Sequence, residues 1–123
     1  MNASVPLHNQ SRPVCILSLD FRLTGILSAA LCSEYPVVPL SPPDGQQLTA
    51  SAGAVLIDIG SVSTRASRNA LKQAQDCGVP AIVLADNSDE KEALNLVSHG
   101  AFSYVRKPLH LRELRGTICA AFQ

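Results

Sequence analysis

The sequence predicts an α/β fold in which a mostly parallel sheet carries helices on both faces. Apolar runs of strand length alternate five times with segments whose apolar residues recur at helical spacing. Such alternation is typical of doubly wound sheets whose strands are joined by right-handed crossovers. The apolar run at 54–57 continues directly into Asp58 and predicts a strand that is buried on both faces. We therefore expect a five-stranded sheet organised around this strand.

Size and charge restrict the class of protein. A chain of 123 residues is long enough for one domain with its own core. The 10 basic residues balance the 10 acidic ones without forming a basic stripe, so charge does not support direct binding to nucleic acid or to a membrane surface. No apolar run approaches the roughly 20 residues that a membrane-spanning helix needs, and the polar segment 1–13 does not resemble a signal peptide. We expect a cytoplasmic protein.

The cysteines favour the same compartment. The chain has no Cys-x-x-Cys pair and no zinc-like cluster of cysteine and histidine. Each cysteine lies among apolar or small residues, which favours buried, reduced thiols over a disulfide framework. The four residues are Cys15, Cys32, Cys77 and Cys119.

The first half of the chain begins with a polar leader at 1–12, and the domain is expected to occupy 13–123. Two prolines, Pro36 and Pro39, place the second predicted strand at an edge of the sheet, because proline cannot donate to a ladder of hydrogen bonds. The successive segments are a strand at 13–20, a helix at 21–33, a strand at 35–40, a loop at 41–45 and a stretch at 46–52 with room for two helical turns.

The second half of the chain repeats the alternation with clearer end signals. Gly78 ends the helix that begins at Thr64, and Gly100 ends the helix that Asn87 and Glu90 open in the manner of a capping box. The remaining segments are strands at 79–85 and 101–105, a turn at 106–109, and a helix at 110–122 with Leu111, Leu114, Ile118 and Phe122 on one face.

Three predicted strands end in, or lead into, charged residues: Asp20, Asp58 and Lys107. The carboxyl ends of parallel strands share one edge of a sheet, so we expect these groups to converge. Two carboxylates form a hard oxygen site that suits Mg²⁺. Asp58 would act as a nucleophile toward a phosphoryl group, and Lys107 would pair with its oxygens. Each residue alone has a simpler explanation, because Asp58 could cap a turn and Lys107 could be a solvated turn residue.

The string GAFSYVRKP at 100–108, preceded by the strand and helix that begin at Pro80, resembles the second half of the receiver domain of two-component response regulators. The resemblance extends over about 13–122. It implies a flavodoxin-like sheet with strand order 2-1-3-4-5, no enzymatic activity of the domain itself, a histidine kinase or phosphotransfer protein as phosphodonor, and an output domain or partner protein, most commonly transcriptional.

The resemblance also implies a role for each site residue. Asp58 would be the phosphoacceptor and Lys107 its contact to the phosphoryl group. Asp20, Asp58 and the backbone carbonyl of Gly60 would bind Mg²⁺. Tyr104 would be the aromatic residue that changes rotamer when the domain switches.

Two departures from the receiver pattern weaken these expectations. Receivers carry two or three adjacent acids after the first strand, whereas Asp20 is followed by Phe21 and Arg22. Receivers carry Thr or Ser at the end of the fourth strand, whereas this chain has Ala85 followed by Asp86. We therefore expect Mg²⁺ binding to be weak or absent, and switching to be weak.

The matches to the receiver pattern and the departures from it leave two possible functions. The first is a phosphorylatable receiver that passes a surface change to an output. The second is a pseudo-receiver that keeps the fold without the chemistry and acts as an interaction or dimerisation module. The proline-bearing loop and the Lys-Pro-Leu turn also resemble receiver-like domains of RNA-binding antiterminator regulators. A nucleotide or flavin enzyme is disfavoured, because the loop at 20–25 has no glycine-rich cradle for phosphate.

The surface around the last strand is the predicted partner face, and a homodimer is its expected use. It comprises the helix before that strand, the strand itself and the final helix. It combines an aromatic side chain with charges of both signs, which suits a self-complementary two-fold contact. The residues are Tyr104, Arg106, Arg112, Glu113 and Arg115.

Overall fold

The computed structural model of the protein describes residues 12–40 and 51–122. The strands are β1 (Val14–Leu17), β2 (Val37–Leu40), β3 (Ala54–Asp58), β4 (Ala81–Ala85) and β5 (Ser103–Arg106). They form one sheet in the order β2-β1-β3-β4-β5, and every neighbouring pair is parallel. The predicted fold class and strand order are confirmed, with the proline-bearing strand at an edge.

Four α-helices lie in the described part of the chain. They are α1 (Phe21–Leu31), α2 (Thr64–Cys77), α3 (Glu90–Ser98) and α4 (Leu111–Ala121), and a single 3-10 turn, Asn87–Asp89, precedes α3. Each lies where a helix is predicted. The predicted loop at 41–45 and nearly all of the stretch at 46–52 fall outside the described residues. The leader at 1–12 does so except for Arg12, so the boundary between leader and domain stays a prediction.

The helices cover both faces of the sheet, as predicted, because successive strand residues point to opposite faces. Full burial of one Leu, Ile or Val side chain stabilises the fold by about 1.5–3 kcal/mol. One face packs residues of α2 and α3 against the sheet, among them Ile57, Val83, Leu71, Ala74 and Leu96. The other packs residues of α1 and α4, among them Leu56, Leu84, Leu27, Leu31, Leu114 and Ile118.

The ends of α2 follow from two residues next to it. The Oγ of Ser63 accepts a hydrogen bond from the N–H of Ala66 and caps the first turn. Gly78 ends the helix with a φ of 72°, a left-handed conformation that glycine adopts without strain. These two ends fix where β3 leads into α2 and where α2 leads into β4.

The predicted burial of the cysteines is wrong for two of them. In α1, Leu27 and Leu31 face the core, whereas Ile26 beside them is 54% exposed. Cys32 and Cys119 are exposed and only Cys15 is fully buried. The reason is that apolar neighbours in the sequence do not determine which side of a helix faces the sheet. None of the helices in the described ranges is long and apolar enough to cross a membrane.

Candidate functional site

The candidate site lies at the carboxyl edge of the sheet and is centred on Asp58, the last residue of β3. Its side chain is 0% exposed. Parallel pairing sets Leu17 of β1 beside Ile57 of β3, so the residues just after β1 lie level with Asp58. The carboxylate is therefore enclosed by neighbouring strand ends, as the alternation of strands and helices predicts.

Lys107 reaches this carboxylate from the end of β5. Its Nζ lies 2.5 Å from Asp58 Oδ1, and its side chain is 26% exposed. The backbone N–H of Lys107 donates to the carbonyl oxygen of Ala85 at 2.7 Å, which holds the turn after β5 against the end of β4. The structure thus brings together Asp58 and Lys107, two of the three charged residues that the strand ends point to.

Ser18 occupies the other side of the carboxylate. Its Oγ donates to Asp58 Oδ2 at 2.7 Å, and Ser18 is itself buried, with 6% exposure. Both carboxylate oxygens of Asp58 therefore already have partners within the protein. Ser18 is not among the predicted site residues, although its position as the first residue after the apolar run of β1 is a signal in the sequence.

Asp20 caps a helix. Its Oδ1 accepts a hydrogen bond from the N–H of Leu23 at 3.1 Å, and the residue is exposed at the N-terminus of α1. Phe21, the next residue, is 80% exposed. The side chain that meets Asp58 from the first strand is thus Ser18 rather than one of the residues at 20–22.

The residues of the site fit Mg²⁺ poorly. Across 12–40 and 51–122, no group of three or more His, Cys, Asp or Glu side chains is placed to hold a metal ion. Both oxygens of Asp58 are engaged, and Asp20 is engaged as a cap. Ligation by Asp20, Asp58 and the carbonyl of Gly60 stays a prediction.

Two acids from the loop after β4 border the site. A Cβ atom added to Gly60 would lie 2.8 Å from Asp89 Oδ2, which shows how closely this carboxylate approaches the loop after β3. Desolvation and the charge of Asp86 raise the pKa of Asp89, and the charge of Lys107 opposes them. Hydrogen bonds from Ser88 lower the pKa of Asp86. The approach of Asp89 to this site was not predicted.

The predicted switch residues lie beside the site. Ala85 is buried at the end of β4, within the cluster against which Tyr104 packs. The Tyr104 hydroxyl donates to Glu90 Oε2 at 3.1 Å, and Arg106 donates to the same oxygen at 2.9 Å. The hydrogen bond and the charge of Glu90 raise the pKa of Arg106. Glu90, the first residue of α3, thus joins that helix to Tyr104 and Arg106 of β5.

Comparison with known proteins finds likeness in structure alone. No protein-family profile matches the sequence, and no curated protein matches it. The N-terminal signal receiver domain of a two-component response regulator from Bacteroides fragilis superposes with a TM-score of 0.77 at 18% identity, over 92% of this chain and 98% of that chain. Full-length FixJ from B. japonicum superposes with a TM-score of 0.73 at 20% identity, over 89% of this chain and 57% of that chain.

A third likeness is an adenylate cyclase from Rhodopirellula baltica, with a TM-score of 0.69 at 17% identity over 91% of this chain and 87% of that chain. Receiver domains recur among the similar structures. The chain therefore has the fold of response-regulator receiver domains. Identities at or below 20% carry the likeness no further than the fold.

Proposed function

We propose that this chain is a receiver-like signalling domain that acts as an interaction module without accepting a phosphoryl group. The observation that carries the proposal is the state of Asp58. Its side chain has no exposed surface, and Ser18 and Lys107 occupy its two oxygens. In this role Asp58 is a structural carboxylate that joins the ends of three strands.

The requirements of phosphoryl transfer support this choice. An attacking carboxylate oxygen must reach the phosphorus in line with the leaving group, and cations must neutralise the charge that spreads over the phosphoryl oxygens. Asp58 is closed to solvent and its surroundings fit Mg²⁺ poorly. Ala85 has no hydroxyl to meet a phosphoryl oxygen, and hydrogen bonds to charged groups contribute roughly 1.5–3 kcal/mol each.

The second candidate is a phosphorylatable receiver, and the Asp58–Lys107 pair favours it. A lysine within 2.5 Å of the carboxylate is well placed to meet phosphoryl oxygens once the pocket opens. In that case Asp58 accepts the group from a histidine kinase or phosphotransfer protein, Mg²⁺ assists weakly, and Tyr104 reports the change.

For either function, we propose that the domain belongs to a cytoplasmic regulator that acts through an output domain or a partner protein. FixJ supports an output domain, because this chain covers only 57% of the full-length FixJ chain. We propose no enzymatic activity for the domain. Transcriptional control is the proposed output, with an RNA-binding antiterminator regulator as the form suggested by the sequence.

Intact mass spectrometry after incubation with a small phosphodonor and Mg²⁺ separates the two candidates. The pseudo-receiver proposal expects the parent protein to keep its mass under conditions that modify an active receiver run in parallel. A gain of one phosphoryl group that disappears in Asp58→Asn would instead establish the second candidate. A gain that persists in Asp58→Asn would reflect modification elsewhere and leave the first candidate standing.

A further inference from the structure

Two serine hydroxyls join the loop after β1 to the loop after β3. The Oγ of Ser18 donates to Asp58 Oδ2 at 2.7 Å and accepts from the N–H of Asp20 at 3.0 Å. The Oγ of Ser61 donates to the carbonyl oxygen of Asp58 at 3.1 Å and accepts from the N–H of Leu19 at 2.9 Å. The two hydroxyl oxygens lie 3.2 Å apart.

The hydroxyls form one connected unit. Each serine has one proton to donate, and those protons serve the side chain and the backbone of the same residue, Asp58. Each also accepts one N–H from the loop after β1. At the 3.2 Å contact between the two oxygens, one of these protons can turn from Asp58 toward the other hydroxyl, so a change at one hydroxyl alters the bonding of the other.

We propose that Ser18 and Ser61 are a built-in lock that holds these two loops together and keeps Asp58 enclosed. A cation bound by both loops would draw them together, and here the hydroxyl pair makes that connection itself. The inference deepens the proposed function, on which it rests for the structural role of Asp58. Ser18 and Ser61 are positioning residues in this scheme.

The lock extends beyond the two loops through Asp58. The Asp58 carboxylate also accepts a hydrogen bond from Lys107 Nζ at the end of β5. The backbone N–H of Lys107 in turn donates to the carbonyl oxygen of Ala85 at the end of β4. One chain of hydrogen bonds therefore holds four of the five strand ends together around Asp58.

Amide hydrogen exchange of the full chain, followed residue by residue by NMR, tests the lock through the N–H groups of Leu19 and Asp20. Because the hydroxyls act as a unit, Ser18→Ala and Ser61→Ala are each expected to accelerate exchange at both amides by roughly tenfold, the effect of losing one hydrogen bond of typical strength. The double variant is expected to exceed either single variant only slightly, since coupled sites are not additive.

Ser63→Ala is the matched control. It removes a serine hydroxyl from the same loop, but that hydroxyl accepts from Ala66 at the start of α2. Exchange is expected to rise at Ala66 and to stay at the parental rate at Leu19 and Asp20. If Ser18→Ala frees only Asp20 and Ser61→Ala frees only Leu19, the hydroxyls are separate local caps and the lock is refuted.

A second pair of variants keeps the test decisive if Ser18→Ala does not fold. Ser61→Thr keeps the hydroxyl and Ser61→Val replaces it with a methyl group of similar shape. The lock expects parental exchange at both amides in Ser61→Thr and accelerated exchange at both in Ser61→Val. Equal exchange in the two variants would overturn it. Mass spectrometry decides phosphoryl acceptance separately, so a phosphorylated parent with coupled amides would refute the pseudo-receiver function and leave the lock intact.

Discussion

At Asp58 a single buried carboxylate determines what the site can do. An ionised group without exposed surface is tolerated only when it is paired and hydrogen-bonded. Lys107 and Ser18 meet these requirements from the ends of β5 and β1. The residue that the sequence presents as a reactive nucleophile is, in the folded chain, a carboxylate whose partners are already in place.

Removing one member of the Asp58–Lys107 ion pair is expected to destabilise the fold. Lys107→Met leaves Asp58 without its cation and should lower the free energy of unfolding by about 3–5 kcal/mol, the usual cost of breaking a buried ion pair. Urea denaturation measures this loss. The double variant Asp58→Asn/Lys107→Met should recover most of it, because no charge remains buried. A loss in Lys107→Met below about 1 kcal/mol would mean that water replaces the lysine, as at exposed pairs.

The acids next to the site are expected to change stability with pH in opposite directions. The pKa of Asp89 is raised in the folded protein, so its ionised form costs stability at neutral pH, and this cost disappears as the pH falls through the folded-state pKa. Asp89→Asn should therefore raise Tm at about pH 7 and have little effect at about pH 3, where the carboxyl is protonated in both states.

Asp86→Asn is the matched variant of opposite sign. The pKa of Asp86 is lowered in the folded protein, so its ionised form contributes stability that is lost as the pH falls. This variant should lower Tm near neutral pH and lose its effect in acid. Shifts of the same sign for the two substitutions would show that charge repulsion between the two acids outweighs their separate surroundings.

At the scale of elements, α4 ends in a contact with the opposite end of the sheet from Asp58. The ring of Phe122 lies where a Cβ atom on Gly53, the residue before β3, would be. The centroid of that ring lies 4.9 Å from the centroid of the Tyr35 ring, and the guanidinium of Arg12 lies 5.8 Å above it. The glycine is therefore required by close approach of an aromatic ring rather than by its own φ.

Gly53→Ala is expected to lower the free energy of unfolding by about 1–3 kcal/mol, the usual cost of overpacking. Gly25→Ala is the control, because nothing lies within 4 Å of a Cβ at Gly25 in α1. That change should instead stabilise the protein by roughly 0.5–1 kcal/mol, as alanine does in a helix. If Gly53→Ala is neutral, Phe122 moves away at no cost, and Phe122→Leu should then be neutral as well.

At the scale of the whole molecule, two of the three arginines on the predicted partner face of α3, β5 and α4 already have partners within the chain. Arg115 is held within the chain, donating to Glu34 at 3.0 Å and to the carbonyl of Ala30 at 2.9 Å. Arg106 is held by Glu90. Within the described ranges, Arg112 is the one of these three arginines that forms no ion pair.

If the protein forms a dimer through this face, Arg112→Glu should weaken it at least about tenfold, since truncating or reversing an interface charge commonly costs more than 1.4 kcal/mol. Sedimentation velocity over a concentration series measures the effect. Arg65→Glu is the control, because this exposed arginine lies in the first turn of α2, on the face of the sheet opposite α4, which carries Arg112. A parent that stays monomeric, or a dimer that Arg112→Glu leaves unchanged, would contradict this arrangement.

The sequence by itself determined the elements and their order. Apolar runs predicted the buried strands, helical spacing predicted α1, α2, α3 and α4, and Pro36 and Pro39, before and within β2, predicted an edge. The pairing of Asp58 with Lys107 also followed from the sequence, because both residues lie at carboxyl ends of parallel strands. These features are readable because the spacing of apolar residues along the chain matches the repeat of the strand or helix that buries them.

Only the tertiary structure decided which side chains meet. The register of β1 against β3 brings Ser18 rather than Asp20 to Asp58, and a serine after a strand carries no local mark of that contact. The approach of Asp89 to Gly60 and the bond from Arg115 to Glu34 likewise join residues distant in sequence. The physical reason is that hydrogen bonds and ion pairs depend on distances of a few tenths of an ångström, which are set by packing between elements and not by the pattern within them.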